Sequence, residues 1–122
     1  MPTIDRPLGG RPLYYRLGRN VSELIDEALL ARTGRSARTL VKDGPLRVTL
    51  TALGAGASIA QHRASGPITV YVLSGEILFR AGADEWRLES GDLLSLGAGA
   101  EHAVSSEAGG VFLLTVAVTP EG

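Results

Sequence analysis

Cysteine is absent from all 122 residues. That excludes disulfides, thiolate metal sites and thiol nucleophiles together. Neither sign of charge dominates: twelve Lys and Arg stand against thirteen Asp and Glu, a net charge of −1. There is thus no basic excess of the kind that binds nucleic acid. The early basic residues, from Arg6 to Lys42, are spread out and read as a solvated surface. No apolar run is long enough to cross a bilayer, and none near the start has the form of a secretion signal. The expectation is a cytoplasmic protein that contacts neither membrane nor nucleic acid. Aromatics are scarce, with two Phe, three Tyr and one Trp, so the core must come from Leu, Val, Ile and Ala. Internal repeats and low-complexity tracts are also missing.

What the chain does have is glycine. Sixteen Gly and six Pro alongside 44% hydrophobic residues predict many short strands joined by tight turns. The length suits one structural domain with a single substantial core. It divides into an arm and amphipathic helix over residues 1–36 and a β-barrel over 37–122.

The first nineteen residues, rich in Pro and Gly, read as irregular, with Leu13–Leu17 as a short edge strand or an arm on a partner subunit. Asn20 has the form of a helix N-cap, with Glu23 completing a capping-box pair. Val21, Leu24, Ile25, Ala28 and Leu29 then recur on one helical face. Glu23, Asp26 and Glu27 lie toward its start and Arg32 toward its end, as the helix dipole favours, and Gly34 follows as the C′ residue.

From there the period changes from helix to strand. Strands are predicted at 37–42, 46–53, 58–63, 68–73, 76–80, 85–89, 92–96, 102–105 and 111–118, with Ser74-Gly75 as a turn. In the second, Leu46, Val48 and Leu50 share one side while Arg47, Thr49 and Thr51 share the other. Residues 111–118 are apolar almost throughout, the mark of a strand covered on both faces. Nine short strands without an intervening helix argue for an antiparallel sandwich or barrel.

Both histidines lie in glycine-spaced segments of this region. Five residues separate Gly56 from His62, and Gly75 closes that segment; the second runs from Gly91 through Gly99 to His102. This spacing resembles the two motifs of the cupins over roughly residues 38–118. The resemblance implies an all-β, jelly-roll barrel with one short N-terminal helix, and a homodimer. It also implies a site of three histidines and one glutamate holding a metal. Here the second histidine position is Ala64, the glutamate position is Ile68, and the closing asparagine is Ser106.

Two imidazoles fall short of the three protein ligands that a catalytic divalent ion ordinarily takes. Strand alternation points Glu101, Gln61 and Arg63 away from the interior. Ile68, Val70 and Val72 share the inward parity, so an apolar pocket with His62 and His102 is expected to take a small molecule without a tight metal. Two alternatives stay open. One is a metal-dependent oxygenase or isomerase, with Ni, Zn, Mn or Fe held incompletely by His62 and His102. The other is a structural or partner-binding barrel without chemistry. No nucleophile elbow or phosphate loop is present.

Overall fold

The computed structural model describes residues 5–6, as backbone, and 12–119. Its elements in order are β1 (Asp5–Arg6), α1 (Leu17–Leu30), β2 (Arg35–Asp43), β3 (Leu46–Leu53), β4 (Ser58–Arg63), β5 (Ile68–Ala81), β6 (Asp84–Glu89), β7 (Leu93–Leu96), β8 (Glu101–Ser105) and β9 (Gly110–Ala117). The strands form one curled sheet in the order β1-β2-β3-β9-β5-β8-β4, with β6 and β7 branching from β5. All pairs are antiparallel except β1 with β2. This is an all-β half-barrel with one helix among the described residues, in keeping with the barrel that the alternation predicted and the jelly roll that the resemblance implied. No described helix is long and apolar enough to cross a membrane.

The curl is carried by β5. The expected turn at Ser74-Gly75 is instead a passage: β5 runs unbroken through it for 14 residues. Its first half pairs with β9 and β7 and its second half with β8 and β6. A register shift between Val72 and Ser74 marks the crossing. Gly75 sits there at φ +70°, opposite Gly110. A Cβ on Gly75 would lie 2.1 Å from the Gly109 carbonyl oxygen. Two backbones approach so closely that only glycine fits.

Two apolar layers result. The interior layer holds Leu53, Ile68, Val70, Val72, Ile77, Phe79, Leu88, Val104 and Phe112, with Trp86 packed against it. The outer layer, Leu40, Leu50, Ala52 and Val111, lies under Leu24 and Ala28 of α1. The apolar side of β3 therefore faces the helix, and Thr51 faces inward. Residues Val111 and Phe112 of β9 belong to opposite layers, which is why that strand is apolar on both faces.

The helix departs from expectation at both ends. It begins at Leu17 with Arg16 as N-cap and no side-chain cap bond, and the first turn holds no acid. Asn20 is inside the helix and buried. Its amide, oriented by its partners, donates to the Arg16 carbonyl oxygen and accepts from Arg38 Nη1, both at 3.2 Å. Glu23 and Glu27 do not serve the helix dipole; they face Arg38 of β2, with Glu27 Oε1 at 2.9 Å from Nη2. Arg38 is itself buried, so this pairing, unavailable to local sequence reasoning, decides which way the helix turns. The helix ends at Leu30 with Ala31 as C-cap, and Gly34 (φ +73°) serves the following turn. Residues 12–16 form no strand, and Leu17 is helical. Tyr15 instead anchors the segment by donating its hydroxyl to the Leu40 carbonyl oxygen at 2.5 Å. The rest of the predicted arm lies outside the described residues.

Candidate functional site

Strand β8 lies between β5 and β4, and His102 is paired across to His62 of β4. That pairing needs a β-bulge. Ile59 pairs with Val104 and His62 with His102, so β4 spends one more residue than β8 over the same span. Simple alternation from Ile59 would turn Gln61 inward and His62 outward; the extra residue reverses this. Gln61 and Arg63 meet Glu101 on the opposite face, Arg63 through bonds of 2.8 and 3.1 Å. Glu101 is thus held away from the histidines.

The two rings stand edge to face, their centroids 4.2 Å apart. His102 is 3% exposed and stacks on Phe79 at 5.2 Å, whereas His62 is exposed at the rim. Each Nδ1 faces a carbonyl oxygen two residues back: His62 that of Ala60 at 3.0 Å, His102 that of Ala100 at 3.2 Å. A carbonyl oxygen only accepts, so each Nδ1 carries the proton and each Nε2 of the neutral ring is left with its lone pair. Burial holds the His102 imidazole below its ordinary value; the Ala100 bond opposes this, and the neighbouring His62 adds to it.

A cavity of about 80 Å³ opens beside the pair. Its walls are Thr51, Ile59, His62, Phe79, His102, Val104, Phe112 and Leu114. The structure places Ile68, Val70 and Val72 elsewhere, fully packed in the interior layer. They lie on the first half of β5, whereas His102 pairs with Ala81 near the end of the second half. Parity predicts which face a residue occupies but not how far along the barrel it sits. Ala64 also packs against the core. Among the described residues, no three His, Cys, Asp or Glu side chains come together to hold an ion.

The carboxylates of Glu76, Glu85 and Asp92 are engaged away from the histidines. Glu76 Oε1 accepts the backbone N–H of Glu107 and Ala108, each at 3.1 Å. The Ala108 bond foremost pulls its carboxyl below the usual value; partial burial opposes this. Ser106, at the asparagine position of the motif, donates to the Glu76 carbonyl oxygen at 2.6 Å and accepts from Gly109 N–H. Glu85 pairs with Arg80, and Asp92 accepts the Glu89 N–H. Sequence reasoning missed Thr51 as a wall of the cavity. Its place on the polar side of β3 was the available signal, had that side been read as inward.

Against protein-family models, a cupin domain matches residues 49–117, more than half of the chain. The chain belongs to the cupin family. This cupin is similar in fold to a conserved protein of unknown function from Streptococcus pyogenes, with 29% identity, 75% of this chain and 80% of that one covered, and a TM-score of 0.67. A cupin superfamily protein from Desulfitobacterium hafniense aligns at 20% identity over 75% of this chain and 87% of the other, TM-score 0.69. The DMSP lyase DddQ of Ruegeria pomeroyi aligns at 20% identity over 72% of this chain and 49% of its own, TM-score 0.65. Among curated proteins, none matches.

Proposed function

We propose that this cupin binds a small molecule at the His62–His102 mouth of its half-barrel, without a tightly held metal. One observation carries the reading: the β4 bulge sets two imidazoles against each other, each tethered through Nδ1, beside an otherwise mainly apolar cavity. Convergent polar atoms in an apolar recess are the usual form of a ligand site. The recess is far smaller than the hundreds of Å³ such sites commonly span, so only one end of a ligand enters it.

A metal is the family's usual occupant, and two imidazoles do not fit a resident ion. A tetrahedral or octahedral ion would take most of its ligands from water, with no protein carboxylate to offset its charge. The Nδ1 tethers favour a second, weaker reading in which Ni, Zn, Mn or Fe is held incompletely through the two Nε2 atoms. Histidine-ring NMR of untagged protein separates the two. A fragment library is expected to shift the His62 and His102 resonances, with the response lost in His102→Asn, while the four ions bind only at millimolar levels. Near-stoichiometric metal in protein purified without chelator, lost in His62→Ala, would overturn the metal-free reading in favour of a metal-dependent enzyme.

Pairing of two copies belongs to the same reading. The helix covers β2 and β3, but Tyr71 and Leu93, cross-strand partners on the outer face beyond it, stay 39% and 64% exposed. A second copy covering this stripe predicts twice the chain mass by light scattering, and a chain-mass value refutes it.

A further inference from the structure

Beside the histidine cavity lies a second hollow of about 290 Å³, walled by Thr33, Arg35, Ser36, Ala37, Thr51 and Ile59. Thr51 and Ile59 belong to the walls of both spaces, which therefore adjoin across these two side chains. The hollow forms where the start of β2 faces the start of β4, bridged by Arg35 Nη1 donating to the Ser58 carbonyl oxygen at 2.8 Å.

Arg35 is exposed, and among the described residues no carboxylate lies within ion-pairing distance of it. The acids on the facing helix do not neutralise it. Glu23 and Glu27 are taken by Arg38, Glu27 also accepts from Ser36, and neither lines the hollow. Most of the Arg35 fork is therefore free to receive an anion, and its planar geometry suits a carboxylate. Thr51 gives the second, independent sign. It is only 6% exposed, yet its hydroxyl has no protein partner among the described residues. Its side chain walls both spaces, so this hydroxyl is available to bond to a group lodged there.

The inner end asks for the opposite chemistry. With both Nδ1 protons committed to carbonyl oxygens, the free Nε2 atoms accept, so the group facing them must donate. The inner space, about 80 Å³, admits only the few heavy atoms at that end of a ligand.

Resting on the ligand-binding reading above, we propose that the ligand is a small hydroxy acid. Its carboxylate pairs with Arg35 in the outer hollow, its chain passes Thr51 and Ile59, and its hydroxyl donates to a histidine Nε2 in the inner cavity.

The test is calorimetry with histidine-ring NMR on the full chain, using glycolate, 4-hydroxybutyrate and 6-hydroxyhexanoate. Each is matched by the diol lacking the carboxylate and the plain acid lacking the hydroxyl. At least one chain length is expected to bind about tenfold more tightly than both of its controls, the size of one charge-assisted bond. Arg35→Gln is expected to remove the advantage over the diol and leave diol binding unchanged; a thermal melt checks that this exposed substitution keeps the fold. Thr51→Val is expected to weaken the acid while preserving the melt. Equal binding of acid and diol, or an Arg35→Gln protein that binds the acid as wild type does, would overturn the assignment. If His102→Asn still abolishes that binding, the histidine site stands and only the ligand class falls. Ligands bound undiminished by both His62→Asn and His102→Asn would overturn the site itself. Silence across all three chain lengths would also overturn the hydroxy acid, leaving the site to the fragment screen.

Discussion

His102 is the residue on which opposed forces meet. Its ring is buried against Phe79, which disfavours the charged form, while its tethered Nδ1 favours it; burial wins. The folded imidazole titrates below the ordinary value of 6.5. As pH falls past that value the unfolded chain binds the proton first, so stability declines until the folded ring also titrates, then levels off. Ring NMR should give a midpoint for His102 below 6.5, and this limb of the stability profile should vanish in His102→Asn. A midpoint at or above 6.5 would mean that the ring is not desolvated as described. Glu76 acts at lower pH. Its carboxyl is lowered from 4.5, so its contribution is complete above that value and is lost as pH falls through the folded one. Glu76→Gln should flatten the acid limb of a melting-temperature profile; an unchanged limb would show that the 106–109 turn does not depend on this carboxylate.

At the scale of elements, the β4 bulge and the docked helix each turn on one feature. The bulge reconciles two demands, Ile59 in the core and His62 opposite His102, which stand three residues apart on one strand and two on its partner. Deleting Ala60 should convert it to plain pairing with the histidines still opposed. The inter-ring NOE should persist and the melt should move by only a few degrees. Loss of the NOE would mean that the bulge's own geometry, not parity, sets the pair.

The helix is oriented by buried Arg38, which binds Glu27 closely and Glu23 at 3.7 Å. Arg38→Ala leaves the buried Asn20 amide oxygen without its donor and empties the space of a buried side chain, and should cost about 2 kcal/mol. Glu23→Gln, at an exposed and longer pair, should cost less than about 1 kcal/mol. Denaturant midpoints measure both, and equal losses would refute this division.

The molecule as a whole hangs on β5, which among the described residues is the strand shared by both halves of the sheet. At its crossing, Gly75 combines a left-handed φ with a backbone carbonyl where a Cβ would go. Gly75→Ala should therefore cost at least about 2 kcal/mol, beyond the left-handed penalty alone. A melt within a degree or two of wild type would show that the crossing can relax.

Most strand positions, the antiparallel all-β class and the convergence of the two histidines were legible in the sequence because alternation and glycine spacing are local and one-dimensional. The family could be read for the same reason, since its motifs are spacings. Other features depend on what lies across space. Asn20 looks like a cap until Arg38 arrives from β2 to make it an interior partner. Ser74-Gly75 looks like a turn until Gly109 and Gly110 lie against it and hold the strand through. Thr51 looks like a solvent-facing residue until the helix covers the apolar side of β3 and turns the threonine inward. Ile68, Val70 and Val72 have the parity of a pocket wall, yet they sit at the far half of β5, inside the packed layer. By itself, then, the sequence determined which segments are strands, which carry the histidines, and that two of four ligand positions hold hydrocarbon. Only the tertiary structure decided how large the cavity is, what walls it and that the hollow lined by Arg35 adjoins it. Those properties belong to packing between segments distant in the chain, and no local period encodes them.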